Sequence, residues 1–279
     1  MADLDLRCER SFGAVITDAL AVLSAHGRAF FPPLFVIIAV PALLEGLVQA
    51  ALGAPLPAAL DLPLPVTRCL VAAATIAYLL LYEDGFFEAE SALGVAALWR
   101  AMVPLLWPIF AVRLVGFGSL FGLGWLAYEA ASAAGSLTAG GVGLVLWVGV
   151  AIVVVPGLVL AIPAAVMEGQ GPLASLRRGY GLSKDYFFET AGVLVVTLLL
   201  VAVVRDTADI AGEAVGGLFA SGLVGSGVDA VLGIARSLAG ALFYAVVTLQ
   251  YFSIVARTDA PALDERVGLI GADEEPPLF

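Results

Sequence analysis

The stretch Met167–Glu189, MEGQGPLASLRRGYGLSKDYFFE, separates two strongly apolar parts of the chain. Residues 130–166 before it carry no charged side chain, and apolar residues resume directly after it. A membrane-spanning helix needs about 20 mostly apolar residues, so both flanks are long enough to cross a bilayer. The stretch is therefore predicted to be the place where the chain leaves the membrane, turns at its surface and enters it again.

The composition of the whole chain predicts the same environment. Of its 279 residues, 61% are hydrophobic and 13% are charged, whereas soluble domains have about 25% charged residues. The predicted fold class is an all-α integral membrane protein with about six transmembrane helices. Since only 13 residues are Lys or Arg and the net charge is -11, nucleic acid is excluded as a partner.

Six apolar runs are long enough to be spans. They are predicted near residues 30–51, 64–82, 103–126, 143–167, 187–204 and 236–256. Nine of the 13 Lys and Arg residues then fall on the side of the N-terminus, three on the other side, and Arg113 inside a span. The excess of positive charge predicts that both termini are cytoplasmic and that the protein lies in the inner (cytoplasmic) membrane. Residues 1–258 form one membrane domain in this interpretation, and the acidic tail 259–279 is predicted to be disordered.

Three shorter segments precede the first, third and fifth spans. They cover residues 11–27, 88–101 and 171–184, and their polar-apolar patterns begin near Ser11, Ser91 and Gly171, 80 residues apart. In the first, apolar residues recur at helical spacing with polar residues opposite, as in a helix that lies along a membrane surface. We therefore predict three cytoplasmic interfacial helices (elbows) and a threefold internal repeat of elbow, outward span and returning span.

The third elbow contains a motif with recognisable local roles. Glu168 and Gly169 are predicted to end the fourth span, and Gly171 followed by Pro172 suits the start of a helix, because proline is favoured in the first turn. The three basic residues of this elbow are predicted to contact anionic lipid headgroups, each contributing about 1 kcal/mol. They are Arg177, Arg178 and Lys184.

This motif resembles the signature of a broad group of multi-pass prokaryotic membrane proteins, which are similar to the membrane domain of some glycerophosphoryl diester phosphodiesterases. The matching positions are Pro163, Glu168, Gly169, Gly171, Pro172, Leu176, Arg178, Tyr180, Leu182, Ser183 and Lys184. Two positions depart from the pattern: Gly179, where serine is usual, and Asp185, where glycine is usual. The resemblance implies the six-span plan. It implies no reaction, because the hydrolase activity of those enzymes belongs to a soluble barrel without a counterpart here.

Arg113 is the strongest candidate for a functional side chain. A charge inside a span is costly and is usually paired or functional, and Glu45 on the first span is the predicted partner by depth. One interpretation is an ion pair that fixes the packing, which we favour. The other is a substrate or proton site.

The remaining candidates carry weaker signals. The segment EDGFFEAE contains Glu83, Asp84, Glu88 and Glu90, which could bind a cation but are more simply a solvated acidic turn. No catalytic, metal or cofactor-binding residue and no cofactor is predicted. The sequence favours a non-catalytic membrane protein, a scaffold or a factor that acts on lipids or on membrane-protein partners. The alternative is a small permease or lipid transporter with a site near Arg113 and Glu45.

Overall fold

The computed structural model describes residues 8–25, 27–52, 63–84, 86, 93–133, 137–218 and 239–258, and all regular structure in this part is α-helical. This confirms the predicted all-α class. The helices are α1 (Phe12–Ala25), α2 (Gly27–Leu52), α3 (Pro63–Glu83), α4 (Val95–Ala133), α5 (Leu137–Met167), α6 (Pro172–Asp185), α7 (Phe187–Leu218) and α8, helical over Ala239–Thr258.

Five of these helices, α3, α4, α5, α7 and α8, are long and apolar enough to cross a membrane. The helix α1 and the first part of α2 meet that criterion only together, and they are bent by 83° where they join. The 26 residues of α2 have a length of about 39 Å at 1.5 Å per residue. The five to six candidates agree with the prediction of about six spans.

The middle elbow differs from its predicted form. Residues from Val95 onward belong to α4, which continues without interruption to Ala133, so the described part of the segment 88–101 is no separate helix. The physical reason is local: between Val95 and Pro104 there is no glycine or proline to end a helix. The first and third elbows are separate helices of 14 residues each. The threefold repeat and the position of the elbows at the membrane surface stay predictions.

Other boundaries also shift. The helix α7 continues to Leu218, beyond the predicted end of the fifth span at residue 204, because residues 205–218 contain no proline to end the helix. The tail 259–279 and the first residues of the sixth predicted span lie outside the described residues.

The centre of the bundle is formed by α3 and α8. In their spans 61% and 72% of the residues are buried, compared with 22% in the span of α7. Every residue from Cys69 to Leu79 is buried, which means that α3 is covered on all its faces. The small residues Ala72, Ala73 and Ala74 let neighbouring helices approach closely. The exposed apolar faces of α4, α5 and α7 are suited to contact with lipid.

A tyrosine hydroxyl connects α1 to the bundle centre. The hydroxyl of Tyr78 in α3 donates a hydrogen bond of 2.9 Å to the carbonyl oxygen of Val22. Val22 carries one of the last four carbonyls of α1, which have no partner inside the helix. The ring of Tyr78 also packs on Phe30 of α2, with 4.4 Å between the centroids. One side chain therefore joins α1, α2 and α3.

Removing this hydroxyl tests the connection. We expect Tyr78→Phe to lower the free energy of unfolding by about 1–2 kcal/mol, because the buried carbonyl of Val22 loses its donor while the ring packing is kept. Thermal or denaturant unfolding of the purified protein in detergent measures the change. Tyr180→Phe is the matched control, since Tyr180 is 51% exposed and should change stability by less than about 0.5 kcal/mol. Equal losses in both variants would contradict the assignment.

Candidate functional site

A cluster of charged and polar side chains joins the segments at one end of the bundle, and we call it the end network. It lies where α1, α6 and α7 begin and where α5 and α8 end. Its three cations face four carboxylates. The members of the end network are Glu9, Arg10, Asp18, Glu168, Arg178, Glu189, Gln250, Tyr251, Ser253 and Arg257.

Arg257, in the last turn of α8, makes the widest set of contacts. Its Nη1 donates to Oε2 of Glu189 at 2.7 Å, and its Nη2 donates to the carbonyl oxygen of Arg10. Its Nε lies 3.1 Å from Oε1 of Glu9, an ion pair that lacks the alignment of a hydrogen bond. The guanidinium carbon is 5.7 Å from the centroid of the Tyr186 ring. The end of α8 is thereby joined to the start of α7 and to the segment before α1.

Arg10 lies just before α1 and is almost completely buried. Its backbone N–H donates to Oγ of Ser253 at 2.9 Å, and the Ser253 hydroxyl donates to the Arg10 carbonyl oxygen at 3.2 Å. Its side chain bonds Oδ2 of Asp18 at 2.8 Å and the carbonyl oxygen of Cys8 at 3.1 Å. Because buried backbone groups outside a helix need partners, Ser253 gives this segment a fixed position on α8.

Glu168 is the acidic residue of the predicted motif, and both of its carboxylate oxygens accept hydrogen bonds. Oε1 accepts from Nε of Arg178 at 2.9 Å and from the Tyr251 hydroxyl at 2.7 Å. Oε2 accepts from Nε2 of Gln170 at 2.7 Å. The carboxylate therefore holds the turn after α5, the helix α6 and the helix α8 together.

The glycines and the proline of the motif form the turn between α5 and α6. Gly169 has a φ of +62°, the left-handed conformation that commonly follows the end of a helix and that glycine adopts without strain. Gly171 is the extended N-cap residue of α6, and Pro172 is its first helical residue. The chain thus reverses in a few residues and brings Arg178 against Glu168.

The helix α6 packs against α5 with direct backbone contact at Gly179. A Cβ atom at this position would lie 2.6 Å from the nitrogen and 2.9 Å from the Cα of Ala161, and closer still to the carbonyl oxygen of Gly157. Real Cβ atoms are never that close to backbone atoms, so the packing requires a glycine here. Position 179 is one of the two at which the chain departs from the family pattern described above.

The outward surface of α6 carries a stripe that we call the α6 outer face, formed by Leu173, Arg177, Tyr180 and Lys184. These residues are spaced by three and four positions, which places them on one side of the helix, and all four are exposed. Among the residues that the structure describes, neither cation of the stripe has an ion-pair partner. The third predicted lipid contact, Arg178, instead bonds Glu168 in the end network.

Arg113 lies in α4, far from the end network. Its Nη1 donates to the hydroxyl of Tyr244 in α8, and its guanidinium carbon is 5.9 Å from the centroid of the Phe117 ring. Tyr244 precedes Thr258 by 14 residues, about 21 Å of helix. The contact between Arg113 and Tyr244 is therefore separated from the end of α8 at the end network by about that distance. The side chain of the predicted partner Glu45 lies outside the described part of the chain.

The acidic segment after α3 is described only in part. Glu83 is half-buried and Asp84 is exposed, whereas Glu88 and Glu90 lie outside the described residues. Within the described ranges no three or more His, Cys, Asp or Glu side chains lie close enough together to hold a metal ion.

Sequence reasoning identified Glu168, Gly169, Gly171 and Pro172 but missed their partners. Tyr251 is 83 residues from Glu168, and no local pattern indicates that the two meet. The resemblance of the motif to the phosphodiesterase membrane domain stays a prediction. Comparison of the chain with protein-family models, with curated proteins and with solved structures found no match.

Proposed function

We propose that this chain is a non-catalytic integral membrane protein, a scaffold or a factor that acts on lipids or on membrane-protein partners. In this proposal α6 lies at the cytoplasmic surface of the inner membrane, and its outer face binds anionic lipid headgroups. Both termini are on the same side, in agreement with the distribution of Lys and Arg along the sequence.

The observation that carries the proposal is the composition of the α6 outer face. Arg177 and Lys184 are exposed and lack ion-pair partners among the described residues, and they alternate with Leu173 and Tyr180, which are 72% and 51% exposed. Basic residues near an anionic membrane surface contribute about 1 kcal/mol each, and leucine and tyrosine side chains suit the boundary between headgroups and acyl chains. The stripe therefore has the chemistry of a lipid-binding surface.

The bonding of the end network supports a structural role over a catalytic one. A general acid or base needs a free position within hydrogen-bond reach of its substrate. Both oxygens of Glu168 already accept hydrogen bonds from protein donors, and Glu189 is engaged by Arg257 and Gln250. These carboxylates hold helix ends together in this interpretation. The alternative of a small permease or lipid transporter near Arg113 and Glu45 stays a prediction.

Neutralising the α6 outer face tests the proposed function. We expect Arg177→Gln/Lys184→Gln to bind phosphatidylglycerol about thirtyfold more weakly than the unaltered protein, since two headgroup attractions of about 1 kcal/mol each are lost. Native mass spectrometry of the purified protein titrated with this lipid in detergent measures the affinity. The control is Arg205→Gln, an exposed cation of α7, which should retain the original affinity. If the double variant also retains it, the proposed role of α6 is wrong.

A further inference from the structure

We propose that the lipid bound at the α6 outer face is one that carries two phosphate groups joined by a glycerol, a diphosphatidylglycerol (cardiolipin). The inference rests on the proposed function, because it names the class of lipid for the same surface. Two features of α6 carry it: the spacing of its two exposed cations, Arg177 and Lys184, and an open notch between them at Gly181.

The two cations lie about two helical turns apart on one side of α6. The helix is continuous from Pro172 to Asp185, so the offset of seven positions from Arg177 to Lys184 corresponds to about 10 Å of rise. Both side chains are exposed, and neither has an ion-pair partner among the described residues. Because arginine and lysine side chains are long and flexible, both cations can reach the two phosphates of one such headgroup at the same time.

Gly181 leaves the helix surface open between these cations. It follows Arg177 by four positions and precedes Lys184 by three, which puts the three residues on one side of α6. A Cβ atom at position 181 would meet no other atom within 4 Å, so packing requires no glycine here, in contrast to Gly179. A helical backbone does not require one either, and glycine lowers helix stability relative to alanine. The use that remains is a notch in which a headgroup can approach the backbone closely.

The borders of the notch also suit a phospholipid. Tyr180 lies on the side of the cations away from Gly181 and is 51% exposed, which leaves its hydroxyl able to donate to a phosphate oxygen. Leu173, which is 72% exposed, supplies apolar surface for an acyl chain. The carboxylate of Asp185 directly follows Lys184, and adjacent helical residues point about 100° apart. The notch is therefore bordered by positive charge and a hydroxyl donor.

Linking two phosphates in one molecule favours their simultaneous binding. Once the first phosphate has bound one cation, the second phosphate is held near the other cation, and its contact becomes intramolecular. A lipid with one phosphate leaves the other cation for a second molecule, which has to be ordered separately. Linked contacts can exceed single ones by about 10²–10⁴-fold in affinity when the geometry allows both. The spacing on α6 therefore predicts selectivity between anionic lipids of the same membrane.

The experiment measures the preference for two phosphates, defined as the ratio of the affinities for diphosphatidylglycerol and phosphatidylglycerol. Native mass spectrometry of delipidated protein, titrated with each lipid in the same detergent, gives both affinities. We expect a preference of at least about tenfold in the unaltered protein. Gly181→Leu should lower this preference by at least about fivefold, because leucine fills the notch while both cations are kept. Lys184→Gln should lower it similarly, because one phosphate loses its partner.

The matched control is Ala174→Leu. Ala174 is exposed and precedes Gly181 by seven positions, so the added leucine lies on the same side of α6 but about two turns away from the notch. This variant should keep the preference of the unaltered protein. Comparison between variants also removes the contribution of the additional acyl chains of diphosphatidylglycerol, which is the same in every protein.

The outcomes separate failure of this inference from failure of the proposed function. If the unaltered protein binds both lipids equally and Arg177→Gln/Lys184→Gln weakens both, the inference is overturned and the proposed function is kept. If the double variant binds both lipids as tightly as the unaltered protein, both fail. A preference that Gly181→Leu retains in full also overturns the inference. Circular dichroism checks that each variant folds, and if Gly181→Leu does not, an unchanged preference in Lys184→Gln has the same meaning.

Discussion

Replacing Gly179 with alanine is expected to lower the free energy of unfolding by about 2–3 kcal/mol, the upper part of the range for overpacking. The new methyl group would meet backbone atoms of Gly157 and Ala161, at distances that include 2.6 Å and 2.9 Å. Backbone atoms in the middle of a helix cannot rotate away as a flexible side chain can. The helix α6 would have to separate from α5, and the bond between Arg178 and Glu168 would be strained with it.

The same helix provides the control. Gly181 lies two residues further on and is exposed, and a Cβ atom at this position would meet no other atom within 4 Å. Gly181→Ala should therefore be neutral or should stabilise the protein by up to about 1 kcal/mol, because alanine favours the helix. Denaturant unfolding in detergent, monitored by circular dichroism, measures both variants. Similar behaviour of the two would contradict the close contact between α5 and α6.

Replacing Arg257 with methionine is expected to cost about 3 kcal/mol, the lower part of the range for breaking a buried ion pair. The side chains of Arg257 and Glu189 are 18% and 23% exposed, so Glu189 would keep a largely buried charge with only a weak bond from Gln250. The carbonyl oxygen of Arg10 would lose a donor as well. Glu9 adds little, because its side chain is 69% exposed.

A second substitution distinguishes this effect from a loss of packing. In Arg257→Met/Glu189→Gln the unpaired carboxylate is gone, so the double variant should be more stable than Arg257→Met alone. The measurement is the same unfolding experiment, with Arg205→Gln as an exposed cation that should change stability by less than about 0.5 kcal/mol. A double variant whose loss equals or exceeds the sum of the single losses would contradict the pairing.

The sequence was sufficient for the features that depend on local composition. Long apolar runs predict spans because the backbone of a membrane segment must satisfy its own hydrogen bonds, which a helix does. The turn after α5 was predictable for a similar reason. Gly169, Gly171 and Pro172 determine the backbone conformation of this turn locally. The turn can therefore be predicted from the sequence without knowledge of any distant contact.

Features that depend on distant contacts were not predictable. Arg257 and the Arg10 carbonyl are 247 residues apart, and Arg113 and Tyr244 are 131 apart; charge and depth alone do not select such partners. Depth and charge predicted Glu45 as the partner of Arg113, and that pairing stays a prediction because the side chain of Glu45 lies outside the described residues. The contact with Tyr244 was not predicted, because a tyrosine hydroxyl carries no charge signal. The middle elbow was predicted from the 80-residue spacing of the three segments. Its residues from Val95 onward instead belong to the continuous helix α4.

The central claim is that the end network and α6 lie at the cytoplasmic face and the far end of α7 at the opposite face. Single cysteines at positions 177 and 205, in a background with Cys8 and Cys69 replaced by alanine, test it through labelling with a membrane-impermeant maleimide. We expect Arg177→Cys to react in inside-out vesicles only, and Arg205→Cys in intact spheroplasts only. Reaction of both positions from the same side, or no reaction of position 177 from either side, would contradict the account.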